Sequence, residues 1–341
     1  MRIATYNVEW FNDLFSETSK LLEDKYWSGR YNIKRTEQVA ALGTIFRAMN
    51  ADAVMVIEAP DENGKRSCVA ALENFAARFQ LRARKALIGF ANNTQQEIAL
   101  LYDPDVMTVR HDPQGEPTGK KGAPGAPRFD GAFRQHLKAD ADPEIVTFSK
   151  PPLEISAKTK SGLQFRMIGV HIKSKAPHGA RGKQDAIRIS IANRRKQIAQ
   201  CIWLRNRVDD HLDAGDPLIV LGDFNDGPGL DKYEKLFGCS GVEIVLGDDG
   251  CPCLYDPHAR MALTQRVGGM PVTSRFYLSD QKRYLQALLD YIMVSDDFRK
   301  LNARWRIWHP FDDPAIYHNP ELREALLTGS DHFPVTLDVD I

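Results

Sequence analysis

Asp223 and Asn225 lie two residues apart in a Gly-Asp-Phe-Asn-Asp-Gly-Pro sequence that directly follows the apolar run Leu218 to Leu221. Branched apolar residues followed by Gly, Asp and Asn predict a buried strand with a sharp exit turn. Side chains two residues apart on a strand project from the same face. A carboxylate accepts hydrogen bonds or holds a hard cation, and an amide both donates and accepts. The pair therefore indicates either a polar site at a rigid strand end or an ordinary Asx turn.

The same signature, an apolar run that ends in polar side chains, recurs along the chain. It occurs at 3–7, 53–58, 167–171 and 330–334, and a further apolar run begins at 288. The polar residues of these segments are Asn7, Glu58, His171, Asp290, Asp331 and His332.

Further helices and strands must position these strand ends next to one another. We expect helices from Thr36, which is a plausible cap, over 67–79 and from about 183, because apolar residues recur there at helical spacing. We expect a strand at 97–102, a hairpin around 159–162 and a closing strand at 335–341. Alternating strands and amphipathic helices indicate an α/β or α+β class.

The order and types of the strand-end residues resemble the endonuclease/exonuclease/phosphatase superfamily, which includes pancreatic-type deoxyribonuclease, neutral sphingomyelinases and inositol polyphosphate phosphatases. The resemblance extends from Asn7 to His332. It implies an α/β fold with four layers, an α/β/β/α sandwich in which two mixed β-sheets pack face to face with helices outside. We expect residues 1–341 to form a single domain, with a surface loop at 111–127 that is rich in Gly, Pro and Lys.

The resemblance implies a divalent-metal-dependent phosphoester hydrolase. Phosphate esters resist hydrolysis because the anionic phosphate repels nucleophiles and the leaving alkoxide is poor, so a site must neutralise charge and move protons. Glu58, supported by Asn7 and Asp331, would hold Mg²⁺ or Mn²⁺, which prefer oxygen ligands. Asp223 would position the attacking water, and Asn225 would donate a hydrogen bond to the phosphoryl oxygen.

The two histidines would carry the proton transfers, since the ordinary imidazole pKa is about 6.5. His332, with Asp290 behind it, resembles the base, because a carboxylate fixes the tautomer and stabilises the imidazolium. His171 would donate to the leaving group or the phosphoryl oxygen, and Glu97 would support it. For a lone histidine a structural role is the usual one, but matching acidic partners favour catalysis here.

The substrate prediction depends on the residues around His171. Abasic-site endonucleases of the superfamily usually have another residue there, so the sequence is more similar to the deoxyribonuclease-like and sphingomyelinase-like branches. Lys173 and Lys175 begin a locally basic stretch, which indicates either a solvated helix face or a footprint for phosphate backbones. We therefore expect a phosphodiesterase that acts on DNA or RNA. The alternatives are hydrolysis of inositol phosphates or lipid headgroups and a non-catalytic binding scaffold.

Bulk properties set few further limits. Acidic and basic residues are equal in number at 45 each, so no global field favours a polyanionic partner. No apolar stretch approaches the length that crosses a bilayer and no signal-peptide pattern is present, so we expect no stable membrane insertion and a cytoplasmic location. Cys251, Cys253 and His258 lack the paired spacing of a zinc site. The oligomeric state stays open.

Overall fold

The computed structural model describes residues 1–94, 96–135, 143–230, 234–247, 252–264, 269–278 and 282–341. Within these ranges the strands are β1 (Arg2–Asn7), β2 (Ala53–Ala59), β3 (Lys85–Ile88), β4 (Glu97–Tyr102), β5 (Met107–His111), β6 (Phe133–Gln135), β7 (Glu144–Val146), β8 (Leu153–Thr159), β9 (Gln164–His171), β10 (Leu218–Asp223), β11 (Ser274–Leu278), β12 (Arg283–Ala287), β13 (Asp290–Val294), β14 (Arg304–Ile307) and β15 (Val335–Asp338). The helices are α1 (Arg35–Met49), α2 (Cys68–Phe79), α3 (Lys183–Asp213), α4 (Glu234–Phe237), α5 (Gly241–Leu246), α6 (Pro257–Leu263), α7 (Asp296–Arg299), α8 (Pro314–Tyr317) and α9 (Pro320–Gly329), with a 3₁₀ turn at Phe11–Leu14.

Two large mixed sheets form the centre of the molecule. The first has the strand order β14-β15-β1-β2-β4-β3, and the second has the order β13-β10-β9-β8-β5. β1 and β2 are parallel, as are β9 and β10, while the other pairs in these sheets are antiparallel. β11 and β12 form a separate hairpin.

Three apolar clusters separate the layers. One lies between the sheets and contains Met55 of the first sheet and Leu221 of the second. The second packs α1, α2 and α9 on the outer face of the first sheet, and the third packs α3, α5 and α6 on the outer face of the second. Side chains along β10 alternate between the inner and outer clusters, as the two-residue period of a strand requires. The predicted α/β/β/α sandwich is confirmed.

The predicted elements are largely present, with one correction at a helix start. β4 covers the predicted 97–102, and α2 ends at Phe79 with Ser67 as its N-cap. Thr36 is not the cap of α1. The helix begins at Arg35, because Glu37 accepts a hydrogen bond from the Lys34 backbone N–H at 2.8 Å and so supports an earlier start.

The register of the strands aligns the polar strand ends. In the second sheet, Asp223 lies opposite His171 of β9 and opposite Asp290 of β13. In the first sheet, Asn7 at the end of β1 lies opposite Ile57, which directly precedes Glu58. Directly opposite residues share a face of a sheet, so the register itself brings these side chains together. Among the helices of the described ranges, none combines the length and the apolar character that a membrane span requires.

Candidate active site

Asp223 lies at the centre of the polar cluster where the two sheets meet. Its carboxylate is buried and accepts hydrogen bonds from Asn7 Nδ2 at 3.0 Å and from the Asn225 backbone N–H at 2.7 Å. Burial raises the pKa of Asp223 to about 7, the Asp290 charge adds to that rise, and His332 opposes it. The side chain is therefore held rigidly by the ends of both sheets.

Asn225 does not offer the free donor that the sequence predicts. Its Nδ2 donates to Asp223 Oδ2 at 3.1 Å and to the carbonyl oxygen of Ile172 at 3.1 Å. An amide nitrogen carries two hydrogens, so both are used in these contacts. Asn225, which has a left-handed backbone with φ 50°, contacts Asp223 through these atoms, and its donation to a phosphoryl oxygen stays a prediction.

His332 and Asp290 form the predicted pair. Nδ1 of His332 lies 2.7 Å from Asp290 Oδ2, and both side chains are buried. Burial lowers the pKa of His332, but Asp290, Asp223 and Asp331 outweigh burial and raise it well above its ordinary value. This contact orients the imidazole ring through Nδ1, so Nε2 is the ring nitrogen that could exchange a proton with another group.

His171 faces two carboxylates with one edge of its ring. Its Nε2 lies 3.6 Å from Asp223 Oδ2 and 3.9 Å from Glu58 Oε1. On the other edge, Nδ1 lies 3.1 Å from the ammonium nitrogen of Lys150. Burial, followed by the positive charge of Lys150, holds the pKa of His171 well below its ordinary value.

The hydrogen bonds of Glu97 go to other residues than His171, so its support of that histidine stays a prediction. Its buried carboxylate accepts instead from Asn92 Nδ2 at 2.7 Å and from two loop backbone N–H groups, those of Asn92 and Glu62. The preceding residue, Gln96, reaches the site: Gln96 Nε2 donates to Glu58 at 2.7 Å, and Gln96 Oε1 accepts from Lys150. Neighbouring side chains at a strand point to opposite faces, so an offset of one residue decides which of them enters the site.

Glu58 and Asn7 offer oxygen atoms that fit a hard cation. Glu58 has a left-handed backbone with φ 60° at an irregularity in the β2–β4 pairing. Such strain in a non-glycine residue is typical of functional sites. Asn7 Oδ1 is buried without a hydrogen-bond partner beside this carboxylate, and an orphaned acceptor of this kind suits Mg²⁺ or Mn²⁺.

A second group of side chains could also hold a metal ion. Asp223, Asp290 and His332 each offer one ligand atom, and these atoms lie within 4.8 Å of one another. Burial raises the pKa of Glu58, and the negative charge of half-buried Asp331 adds to that rise. The acidic cluster is thus larger than the three predicted ligands.

The predicted substrate lysines differ in their surroundings. Lys175 pairs with the buried carboxylate of Asp226 at 2.6 Å, and its binding of substrate stays a prediction. Asp226 also pairs with buried Arg194 at 2.7 Å, which makes this a structural ion cluster. Lys173 is half-buried near His171, and its charge contributes to the low pKa of that histidine. Cys251 lies outside the described residues.

Sequence reasoning missed Lys150, Gln96 and Glu9. Glu9 follows Asn7 by two residues, and burial followed by the charge of Asp331 raises its pKa to about 7. The two-residue spacing after Asn7 is a signal that could have identified Glu9. Lys150 lies in a loop between β7 and β8 with no motif around it, so no sequence signal marks it.

The layered architecture and the polar cluster at the joined strand ends define a sandwich of the deoxyribonuclease I-like type. The chain belongs to the endonuclease/exonuclease/phosphatase family, whose model matches residues 4–332. The superfamily inferred from the strand-end residues is therefore confirmed. Members of this family are phosphoester hydrolases.

Several solved structures are similar to this chain at low sequence identity. Truncated TDP2 from Caenorhabditis elegans is 14% identical, with 100% of this chain and 97% of that chain covered and a TM-score of 0.51. TDP2 from C. elegans is 14% identical over 100% and 75% of the two chains, with a TM-score of 0.50. The 3′ phosphatase NExo from Neisseria, bound to product DNA hairpin, is 16% identical over 100% of both chains, with a TM-score of 0.49. No curated protein sequence matches the chain.

Proposed function

We propose that this protein is a divalent-metal-dependent phosphodiesterase that cleaves nucleic acid, with water activated by the His332–Asp290 pair. One observation carries the proposal: the buried His332–Asp290 pair, Asp223 and His171 converge at the same end of the two sheets. Aligned carboxylate and imidazole groups of this kind suit hydrolysis, since proton transfers need groups fixed within hydrogen-bond reach. We infer that residues 1–341 form one domain.

The residues that would hold Mg²⁺ or Mn²⁺ are Glu58 and Asn7, with Asp331 beside them. When bound, the ion supplies charge neutralisation and polarisation of the phosphoryl group. A cation among these carboxylates also opposes the raised pKa of His332, because it repels the imidazolium.

His332 acts as the base in the proposed mechanism. It takes the proton of the attacking water, and Asp290 stabilises the imidazolium that forms. Asp223 accepts a hydrogen bond from that water and fixes its direction. Asn7 and Asn225 hold the Asp223 carboxylate in place through three contacts of 2.7 to 3.1 Å.

Lys150 gives His171 a definite tautomer. An ammonium group only donates, so Nδ1 of His171 must accept and the neutral ring carries its proton on Nε2. That Nε2–H faces the region between Asp223 and Glu58, where a phosphoryl oxygen would lie. His171 thus acts as a neutral hydrogen-bond donor to phosphate, and Lys150 is its positioning residue.

Basic side chains near the site favour a nucleic-acid substrate. Lys173 is two residues from His171, and its backbone is held by Gln197 and Gln200 of α3. The same helix carries exposed Lys196, and also exposed Arg188 and Arg195, which pair with Asp185 and Glu144. Sequence-independent attraction to phosphate backbones requires such clusters. Hydrolysis of inositol phosphates or lipid headgroups is the second candidate, because the same catalytic groups serve any phosphoester.

Hydrolysis of bis(p-nitrophenyl) phosphate and of a labelled DNA strand tests the proposal. We expect turnover that disappears in EDTA and returns with Mg²⁺ or Mn²⁺, and that is lost in both His171→Ala and His332→Ala. Lys158→Met is the matched control, since Lys158 is an exposed lysine of β8 away from the catalytic cluster. If no phosphodiester is cleaved while an inositol phosphate is, the second candidate replaces the first.

A further inference from the structure

The β11–β12 hairpin lies directly beside the catalytic histidine. The Arg275 backbone N–H donates to the carbonyl oxygen of Asp331 at 2.7 Å, and Ser274 forms a bridge with His332. Arg275 and Tyr284 lie on one face of the hairpin, because Tyr284 is opposite Tyr277, two residues from Arg275. The hairpin therefore extends the site on the His332 side.

The guanidinium of Arg275 lies between two aromatic rings. Its Cζ is 4.2 Å from the ring centre of Tyr284 and 5.4 Å from that of Phe311. Among the described residues it has no carboxylate or hydrogen-bond acceptor, and its Nε is buried without a partner. Arg30, Arg35 and Arg207 also carry a buried Nε without a hydrogen-bond partner, but each of them pairs with a carboxylate. What sets Arg275 apart among the described residues is therefore a guanidinium without a carboxylate partner.

Other arginines that stack on rings in this chain differ in this respect. Arg299 stacks on Tyr255 at 4.4 Å and pairs with Asp296 at 3.2 Å. Arg306 stacks on Trp308 at 4.5 Å and pairs with Asp313 at 2.6 Å. An arginine stacked on a ring is thus ordinary among the described residues of this protein. A stacked guanidinium that lacks a carboxylate partner, as in Arg275, is unusual among them.

The rings around Arg275 are open to solvent. Tyr277, Tyr284 and Phe311 are 54%, 55% and 41% exposed, and the two tyrosine rings are 5.3 Å apart. Single exposed rings are ordinary on a protein surface, whereas several adjacent ones form an apolar patch that is typical of a contact site. Exposed rings beside a cation match the platforms that stack successive bases of a single strand.

We propose that Arg275 binds a phosphate of a single-stranded nucleic acid next to the scissile phosphate, while Tyr277, Tyr284 and Phe311 stack on its bases. The planar guanidinium fork matches two phosphate oxygens, and the rings hold that fork in one plane. The inference rests on the proposed function and specifies its substrate as an extended strand.

Binding is measured by fluorescence anisotropy with a fluorescein-labelled single-stranded phosphorothioate oligonucleotide in Mg²⁺ buffer. Arg275→Gln is expected to weaken binding about tenfold or more, since a charge-assisted hydrogen bond is lost. The slope of log K against log salt should decrease by about 0.7 to 1, the contribution of one phosphate contact. Arg275→Lys keeps the charge without the fork, so it should retain the slope and lose affinity.

Arg299→Gln is the matched control and is expected to bind like the wild type. Hydrolysis of bis(p-nitrophenyl) phosphate, which has no neighbouring phosphate, reports on the catalytic groups separately from binding of the strand. Thermal unfolding checks that each variant is folded, and Tyr284→Leu provides a second test of the platform. Three results would each overturn the inference. The first is wild-type affinity in both Arg275→Gln and Tyr284→Leu. The others are a wild type that binds no oligonucleotide and a wild type that binds phosphatidylserine vesicles equally well.

Discussion

Replacement of Lys150 by Met tests the proposed tautomer of His171. Methionine keeps the length of the side chain but removes the donor that contacts His171 Nδ1 at 3.1 Å and Gln96 Oε1. Nδ1 then has no partner, and the ring is free to place its proton on Nδ1 instead of Nε2. In that tautomer the edge that faces Asp223 and Glu58 has no hydrogen to donate to phosphate.

The expected loss follows from the hydrogen bond that disappears. A hydrogen bond to a charged group contributes about 1.5 to 3 kcal/mol, and each 1.36 kcal/mol changes a rate tenfold. We therefore expect kcat to decrease roughly 10- to 160-fold, with a smaller change in KM because Lys150 lies behind the ring. Lys158→Met, an exposed lysine of β8, should have no effect.

Steady-state kinetics on bis(p-nitrophenyl) phosphate give kcat and KM, and ¹⁵N NMR of the imidazole nitrogens gives the tautomer. The wild type should show the proton on Nε2 of His171, and Lys150→Met should show a mixture. A wild-type spectrum with the proton on Nδ1, or an unchanged kcat in a folded Lys150→Met variant, would refute the reasoning.

Three further predictions concern the framework of the site and its surroundings. Gly222→Ala should destabilise the fold by on the order of 3 kcal/mol in urea unfolding, because φ is 139° there and an added Cβ would collide with β9. Gly162→Ala is the control, because its Cβ would meet open space and its loss of stability should be smaller. Arg207→Met should cost about 3 to 5 kcal/mol, because it leaves the Glu154 carboxylate buried without its partner at 3.2 Å, and thermal unfolding checks this. Burial lowers the pKa of His258 to about 4. Between about pH 6.5 and 4 the unfolded chain therefore binds a proton that the folded chain does not, so the free energy of unfolding decreases by about 3 kcal/mol as the pH falls through this range. His258→Gln should remove this decrease, which urea titrations at about pH 7 and 4.5 measure.

The strand ends were predictable because each one carries its own local signal. An apolar run that stops at a polar residue identified β1, β2, β9 and β10, and these strands place Asn7, Glu58, His171 and Asp223 together. The pairing of His332 with Asp290 also followed from the resemblance.

The direction and the partner of a side chain could not be predicted from the sequence. Glu97 was chosen over Gln96, but the two side chains point to opposite faces of the same strand end. Lys175 belongs to a basic stretch, yet a buried carboxylate from the β10 exit turn neutralises it. Lys150, in a loop far along the chain from every motif, could not be found at all.

The sequence by itself determined the α/β character of the chain, because periodicity is a property of short segments. The resemblance of its strand-end residues implied the family, the layered fold and most acidic and imidazole groups of the site. Tertiary structure alone decided which groups lie together: Lys150 with His171, Gln96 with Glu58, and Arg275 near two rings, with no carboxylate partner in the described part of the chain. The physical reason is that hydrogen bonds and stacking act over a few ångströms between residues far apart in the chain, and only the packing of the two sheets sets those distances.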